Sequence, residues 1–168
     1  MSRKNNKSTL KQALVYLSLF VIVTLVVDIW RTKDMPIDNA PVVSGFSQTG
    51  QAIDILEMSK EKPVIVYFWA TWCAACKFVT PTIDWFSDTF QVVGISLNSG
   101  PNQRVEKYMA HHELTFANIN DIDRNQASTW GITVTPTIAI VNDGKIETIT
   151  TGITTPVGLY ARLWLAKF

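Results

Sequence analysis

Phe68-Trp69-Ala70-Thr71-Trp72-Cys73-Ala74-Ala75-Cys76-Lys77 is the most informative run in this 168-residue chain. Upstream of the cysteines, Pro63 to Trp69 reads Pro-Val-Ile-Val-Tyr-Phe-Trp. A short apolar run of β-branched and aromatic residues suits a strand buried on both faces. Downstream, Phe78, Val79, Ile83, Trp85 and Phe86 are consistent with a helix from Cys73 to about Phe90, with Pro81 expected to kink it. The two cysteines therefore fall where a strand gives way to a helix. A helix N-terminus offers unpaired N–H groups and the positive end of the dipole, and both favour a thiolate. Cys73 is expected at that tip with its sulfur partly exposed, and Cys76 one turn in and buried. Cys73 is then the candidate nucleophile toward a disulfide, and Cys76 the thiol that resolves the mixed disulfide.

The chain has no other cysteine. A disulfide-stapled scaffold would carry more, spread along the chain, and a bridge across so short a loop restricts the unfolded chain little. Half a zinc site has the same spacing, but it needs two further ligands. The remaining soft candidates, His111 and His112, are sequence neighbours whose side chains diverge by about 100° on a helix. They are expected as surface residues near a helix C-terminus, so no metal ligand and no cofactor is assigned. Trp69 is expected to pack, Trp72 to form the exposed rim, and Trp85, Trp130 and Trp164 to be core or half-buried. Lys77 either assists anion stabilisation or is simply solvated.

Working outward, Val42 to Ile55 reads as a hairpin or a pair of short strands, and Gln91 to Leu97 as a second buried strand. Asn102 to His111 reads as a helix, Phe116 to Asn120 as a short edge segment, and Asn125 to Trp130 as a short helix. Thr137 to Asn142 and Lys145 to Thr151 are strands joined by Asp143-Gly144, a strong hairpin-turn signal. Pro156 to Phe168 closes the chain as a helix, Pro156 suiting its first turn. Alternating strands and helices followed by an antiparallel pair imply an α/β fold, a mixed central sheet flanked by helices.

Residues 1–12 carry Arg3, Lys4, Lys7 and Lys11 and no acid, and an uncharged apolar run follows from Ala13 to Val27. That run spans roughly 22 Å as a helix, and roughly 27 Å when extended to Trp30. A cleaved signal would need small residues just beyond it, whereas Asp28-Ile29-Trp30-Arg31 is bulky and charged. We therefore expect a basic cytoplasmic tail (1–12), one transmembrane helix (13–30), a linker (31–41) with Pro36, and an exported domain (42–168). In a bacterium this places the N-terminus in the cytoplasm and the domain in the periplasm. Net charge is +1, and no long charged run occurs outside the N-terminus, so the electrostatic footprint of a nucleic-acid binder is missing.

The run from Phe68 to Lys77, with Pro81 beyond it, resembles the active site of the thioredoxin superfamily. Trp130-Gly131-Ile132-Thr133-Val134-Thr135-Pro136-Thr137 resembles that superfamily's cis-proline segment. The resemblance covers roughly residues 42–168. It implies a thioredoxin fold, a protein-disulfide oxidoreductase, and a cis bond at Thr135-Pro136 lying against the cysteine pair, with Thr135 pairing to substrate backbone. Trp72, Thr135 and Pro136 are the substrate-binding candidates. The anchor, the early hairpin and the Trp-Ala-Thr-Trp-Cys wording resemble the bacterial membrane-tethered, TlpA-like branch. That branch includes cytochrome c maturation reductants and the thioredoxin-like proteins of copper-sensitivity suppression. By this likeness the partners are exported protein thiols and a membrane thiol reductase as electron donor. The alternative is a copper chaperone holding Cu(I) between Cys73 and Cys76. Two positions depart from the family: Tyr67 stands where thioredoxins keep a buried Asp, and Val79 where cytochrome c maturation reductants often carry a Glu.

Overall fold

The computed structural model of the protein describes residues 11–19, 22, 23, 26, 27, 35 and 39–166. The chain divides into two compact units, Met1–Lys33 and Asp34–Phe168. In the first, the described residues are helical (α1: residues 11–19 with 22, 23, 26 and 27), and Leu14, Val15, Leu17, Ile22 and Val26 stand exposed. Among the described residues no helix is long and apolar enough to cross a membrane. The expected span 13–30 includes residues 20, 21, 24, 25 and 28–30, which lie outside the described residues, as do 1–10 of the tail and most of the linker.

The second unit opens with an antiparallel hairpin, β1 (Ser44–Phe46) and β2 (Ala52–Asp54). Helix α2 (Ile55–Glu61) follows at once, because the Asp54 carboxylate caps it by accepting from the N–H groups of Leu56 and Glu57. Then come β3 (Val64–Trp69), α3 (Cys76–Ser87), β4 (Gln91–Leu97), α4 (Asn102–His111), β5 (Ala117–Asp121) and α5 (Asn125–Thr129). The chain closes with β6 (Thr137–Asn142), β7 (Lys145–Thr151) and α6 (Pro156–Ala166). The expected end of α6 at Phe168 lies outside the described residues.

The five-stranded sheet runs β5-β4-β3-β6-β7. β3, β4 and β5 are parallel, while β6 and β7 join antiparallel, so the sheet is mixed as expected. β3 lies at its centre, and every one of its six residues is buried. Alternation sends Val64, Val66 and Phe68 into one core with Ile55, Ala127 and Trp130. Ile65, Tyr67 and Trp69 point into the other, against Val79, Ile83 and Phe86 of α3 and Leu159 and Leu163 of α6. Helices thus cover both faces. Asp143 and Gly144 both adopt positive φ at the β6–β7 turn, the conformation that such a dipeptide supplies.

Gly94, in the middle of β4, sits under Phe116 and Asn118. A Cβ there would lie 2.5 Å from the Phe116 ring and 2.8 Å from the Asn118 side-chain oxygen. Gly94→Ala should therefore destabilise the domain by about 1–3 kcal/mol through overpacking, seen as a lower urea midpoint with an unchanged slope.

Two expectations are corrected. The helix begins at Cys76, not Cys73, with Ala75 as its cap residue. Residues 71, 72, 74 and 75 form turns, and the Cys73 N–H bonds back to the Ala70 carbonyl at 3.1 Å. From Cys76, α3 continues through Pro81 to Ser87 as one element. Trp85 and Trp164 lie outside the core: Trp85 is 65% exposed, because Val79, Thr80, Ile83 and Phe86 occupy the inner face of α3. Only Trp130 of the three is buried.

Candidate active site

The loop that carries the cysteines is tied to the end of the neighbouring strand. Thr71 N–H donates to the Ser99 hydroxyl, which itself donates to the Leu97 carbonyl. The Trp72 indole N–H donates to the Asn98 carbonyl at 3.0 Å, although the residue is 61% exposed. Trp72 thus forms a rim residue held by one edge. Trp69, in contrast, is fully buried, and its indole N–H donates to the Asn118 side-chain oxygen at 2.8 Å. The Asn118 side-chain amide in turn donates to the Ser96 hydroxyl at 3.1 Å, and its main chain pairs with Gln48, so the residue is held on both sides while buried. These tethers at Asn98, Ser99 and Asn118 carried no sequence signal, since each pairs with a residue more than 20 positions away.

Cys73 and Cys76 form a disulfide, their Cα atoms 5.3 Å apart. The Cys76 N–H at the start of α3 donates to the Cys73 sulfur at 3.1 Å. This is the helix-tip donor that a Cys73 thiolate requires. Cys76 is 2% exposed, as expected, but Cys73 is only 6% exposed rather than partly open. Both sulfurs belong to one apolar cluster with Ala70, Val79 and Ile138, and those neighbours cover Cys73.

Thr135-Pro136 is a cis peptide bond. Thr137 is the register partner of Phe68 on β3, so Pro136 lies one step nearer the level of Trp69 and the cysteine loop. Both motifs therefore stand at the same end of the sheet. Pro136 is buried, and its carbonyl accepts from the Gly152 N–H at 2.8 Å. Among the described residues no hydrogen bond takes up the main-chain groups of the half-buried Thr135. Such free groups suit an extended polypeptide laid alongside.

Beneath the disulfide, both departures from the family pattern are buried: Tyr67 on β3 and Val79 on α3. The Tyr67 hydroxyl lies 2.9 Å from that of Thr80. Burial pushes the Tyr67 phenol well above its ordinary range, outweighing the Thr80 hydrogen bond, which acts the other way. The one buried carboxylate among the described residues, Asp121, is on β5 and accepts from the Ala127 N–H, two strands from β3. His111 and His112 are exposed at the end of α4, their rings 5.0 Å apart. Lys77 is exposed. Among the described residues no group of three His, Cys, Asp or Glu is gathered that could hold a metal ion.

The fold and this disulfide define a thioredoxin-type redox protein. The thioredoxin family model matches residues 54–163, and the chain belongs to that family. It is 32% identical over 163 residues to a thioredoxin-like protein of Haemophilus influenzae, covering 96% of this chain and 97% of that one. It is also 32% identical over 108 residues to sporulation thiol-disulfide oxidoreductase A of Bacillus subtilis, covering 60% of this chain and 66% of that relative. Among solved structures, StoA from Bacillus subtilis superposes with a TM-score of 0.65 at 28% identity, covering 76% of this chain and 98% of that one. The protein is accordingly a thioredoxin-like thiol–disulfide oxidoreductase.

Proposed function

We propose that this protein is a membrane-tethered periplasmic reductase that exchanges disulfides with exported protein thiols through Cys73 and Cys76. The observation that carries this is the placement of the disulfide and the unpaired main chain of Thr135 at one end of the sheet. Cys73 attacks the substrate disulfide, Cys76 resolves the mixed disulfide, and Trp72, Thr135 and Pro136 seat the polypeptide beside them. Tethering is supported by the basic flank, the apolar run 13–27, and the exposed apolar side chains of α1. In a bacterial inner membrane the basic tail stays cytoplasmic and the redox domain faces the periplasm. A dithiol there must be recharged, and a polytopic thiol reductase in the same membrane is the natural donor.

By its anchor, early hairpin and Trp-Ala-Thr-Trp-Cys wording the chain also resembles suppressor for copper sensitivity protein D. Copper tolerance would then come through repair of mis-oxidised thiols rather than through metal holding.

The direction of exchange is tested by equilibrating the full chain against glutathione. A midpoint at or below about −220 mV is expected of a reductant, and one near about −120 mV, the range of a strong oxidant, would overturn the reductase assignment.

A further inference from the structure

The resolving cysteine needs something to stabilise its charge, and the acids that serve relatives at positions 67 and 79 are absent here. Thr80 stands four residues after Cys76 on α3, hence one turn along the same helix face. Its hydroxyl bonds to that of Tyr67, and neither hydroxyl has another hydrogen-bond partner among the described residues. Two hydroxyls carry two protons, and one bond uses only one of them. While the disulfide is closed, the second O–H of this pair has no protein acceptor among the described residues, and Ile65, Val79 and Ile83 of the same core offer none. Opening the disulfide creates an acceptor one turn away, the Cys76 sulfur.

We propose that Thr80, oriented by Tyr67, is the hydrogen-bond donor that stabilises the Cys76 thiolate during resolution, in place of a buried carboxylate. Tyr67 donates to Thr80, which frees the Thr80 proton to point toward the sulfur. Tyr67 is thus a positioning residue. Its burial keeps the phenol neutral, so it remains a donor throughout the working pH range.

The chemistry balances as follows. The Cys73 thiolate attacks a substrate disulfide, forming the mixed disulfide and expelling the first substrate sulfur as a thiolate. The Cys76 thiol gives its proton to water, and the resulting thiolate attacks the Cys73 sulfur. The Cys73–Cys76 bond forms, the mixed disulfide breaks, and the second substrate thiolate leaves and takes up a proton. Two electrons pass from the dithiol to the substrate. Thr80 also lines an open groove of about 420 Å³ between α3 and α4, which brings solvent to the edge of the buried pair. The titratable groups on that groove are Lys77, Asp84, Asp88, Tyr108 and His112.

This inference rests on the disulfide-exchange assignment, and its test needs no substrate. In full-length protein carrying Cys73→Ala, the ultraviolet absorbance of the Cys76 thiolate is followed against pH. Thr80→Val should raise the midpoint by about one unit, a tenfold loss of thiolate, as expected for a hydrogen bond to a charged group. Thr80→Ser should restore it, and Tyr67→Phe should shift it the same way by less. With both cysteines present, Thr80→Val should slow release of the mixed disulfide about tenfold while leaving the first attack by Cys73 unchanged. A Thr80→Val midpoint equal to that of the parent, or a Thr80→Ser variant that behaves like Thr80→Val, would overturn the proposal. Either result with exchange intact in the unaltered protein separates this failure from failure of the exchange assignment.

Discussion

Cys73→Ala should bring disulfide exchange down to the level of buffer, whereas Cys76→Ala should convert the enzyme into a single-turnover trap. The asymmetry follows from the geometry at the helix tip. The Cys73 sulfur is the one that accepts from the Cys76 N–H, so its anion is the one that the helix tip favours. Cys76 begins the buried face of α3 that continues through Val79, Thr80 and Ile83, so on the proposed mechanism it acts on Cys73 and not on an external disulfide. With Cys76 removed, the mixed disulfide between Cys73 and its partner persists, because no second sulfur is at hand to expel the substrate. Non-reducing electrophoresis of cells or membranes carrying Cys76→Ala should show a shifted, reductant-sensitive species absent with Cys73→Ala. Equal trapping by the two variants would mean that the roles are misassigned.

Trp69→Ala should cost about 3–5 kcal/mol, a large share of the about 5–15 kcal/mol by which such a domain is held together. Trp69 is fully buried at the end of the central strand. Its ring lies 6.3 Å from that of Tyr67 in a stacked arrangement and 6.0 Å edge-on from that of Phe116. Removing it leaves a cavity and also strips the buried Asn118 oxygen of its donor. Trp69→Phe, which retains most of the packing, should cost about 1–3 kcal/mol for that lost bond alone. Trp72→Ala, three residues beyond β3 and largely exposed, should stay within about 1 kcal/mol while weakening substrate capture. Urea unfolding of the three variants checks the order, and a Trp72→Ala protein less stable than Trp69→Ala would contradict the division between packing and rim.

The contrast between these two tryptophans was legible in the sequence, because one ends a continuous apolar run and the other adjoins the cysteines in a loop. The same kind of signal placed β3, β4 and the β6–β7 hairpin, where local pattern and tertiary packing agree. The start of α3 was not legible. Ala74 and Ala75 are strong helix formers and offer no capping side chain, so nothing local says that the helix waits until Cys76. The turn before it is held by Asn98 and Ser99, whose pairing with Trp72 and Thr71 exists only after folding. Trp85 was misplaced because a helix with five apolar residues can bury only some of them, and Val79, Ile83 and Phe86 fill the inner face. Cys73 proved more buried than expected because Ala70, Val79 and the distant Ile138 gather around it only in the folded domain. The Tyr67–Thr80 pair joins residues 13 positions apart on different elements, and neither hydroxyl belongs to a motif.

The most direct measurement is electron accounting at the cysteine pair. Fully reduced protein is mixed with an unfolded disulfide-bonded polypeptide, quenched with an alkylating agent, and weighed by mass spectrometry. For each substrate disulfide opened, one molecule should fail to take up either label and register a closed Cys73–Cys76 bond. Opened substrate with both thiols still alkylated, or no opened substrate at all, would contradict the assignment of this pair as the redox centre.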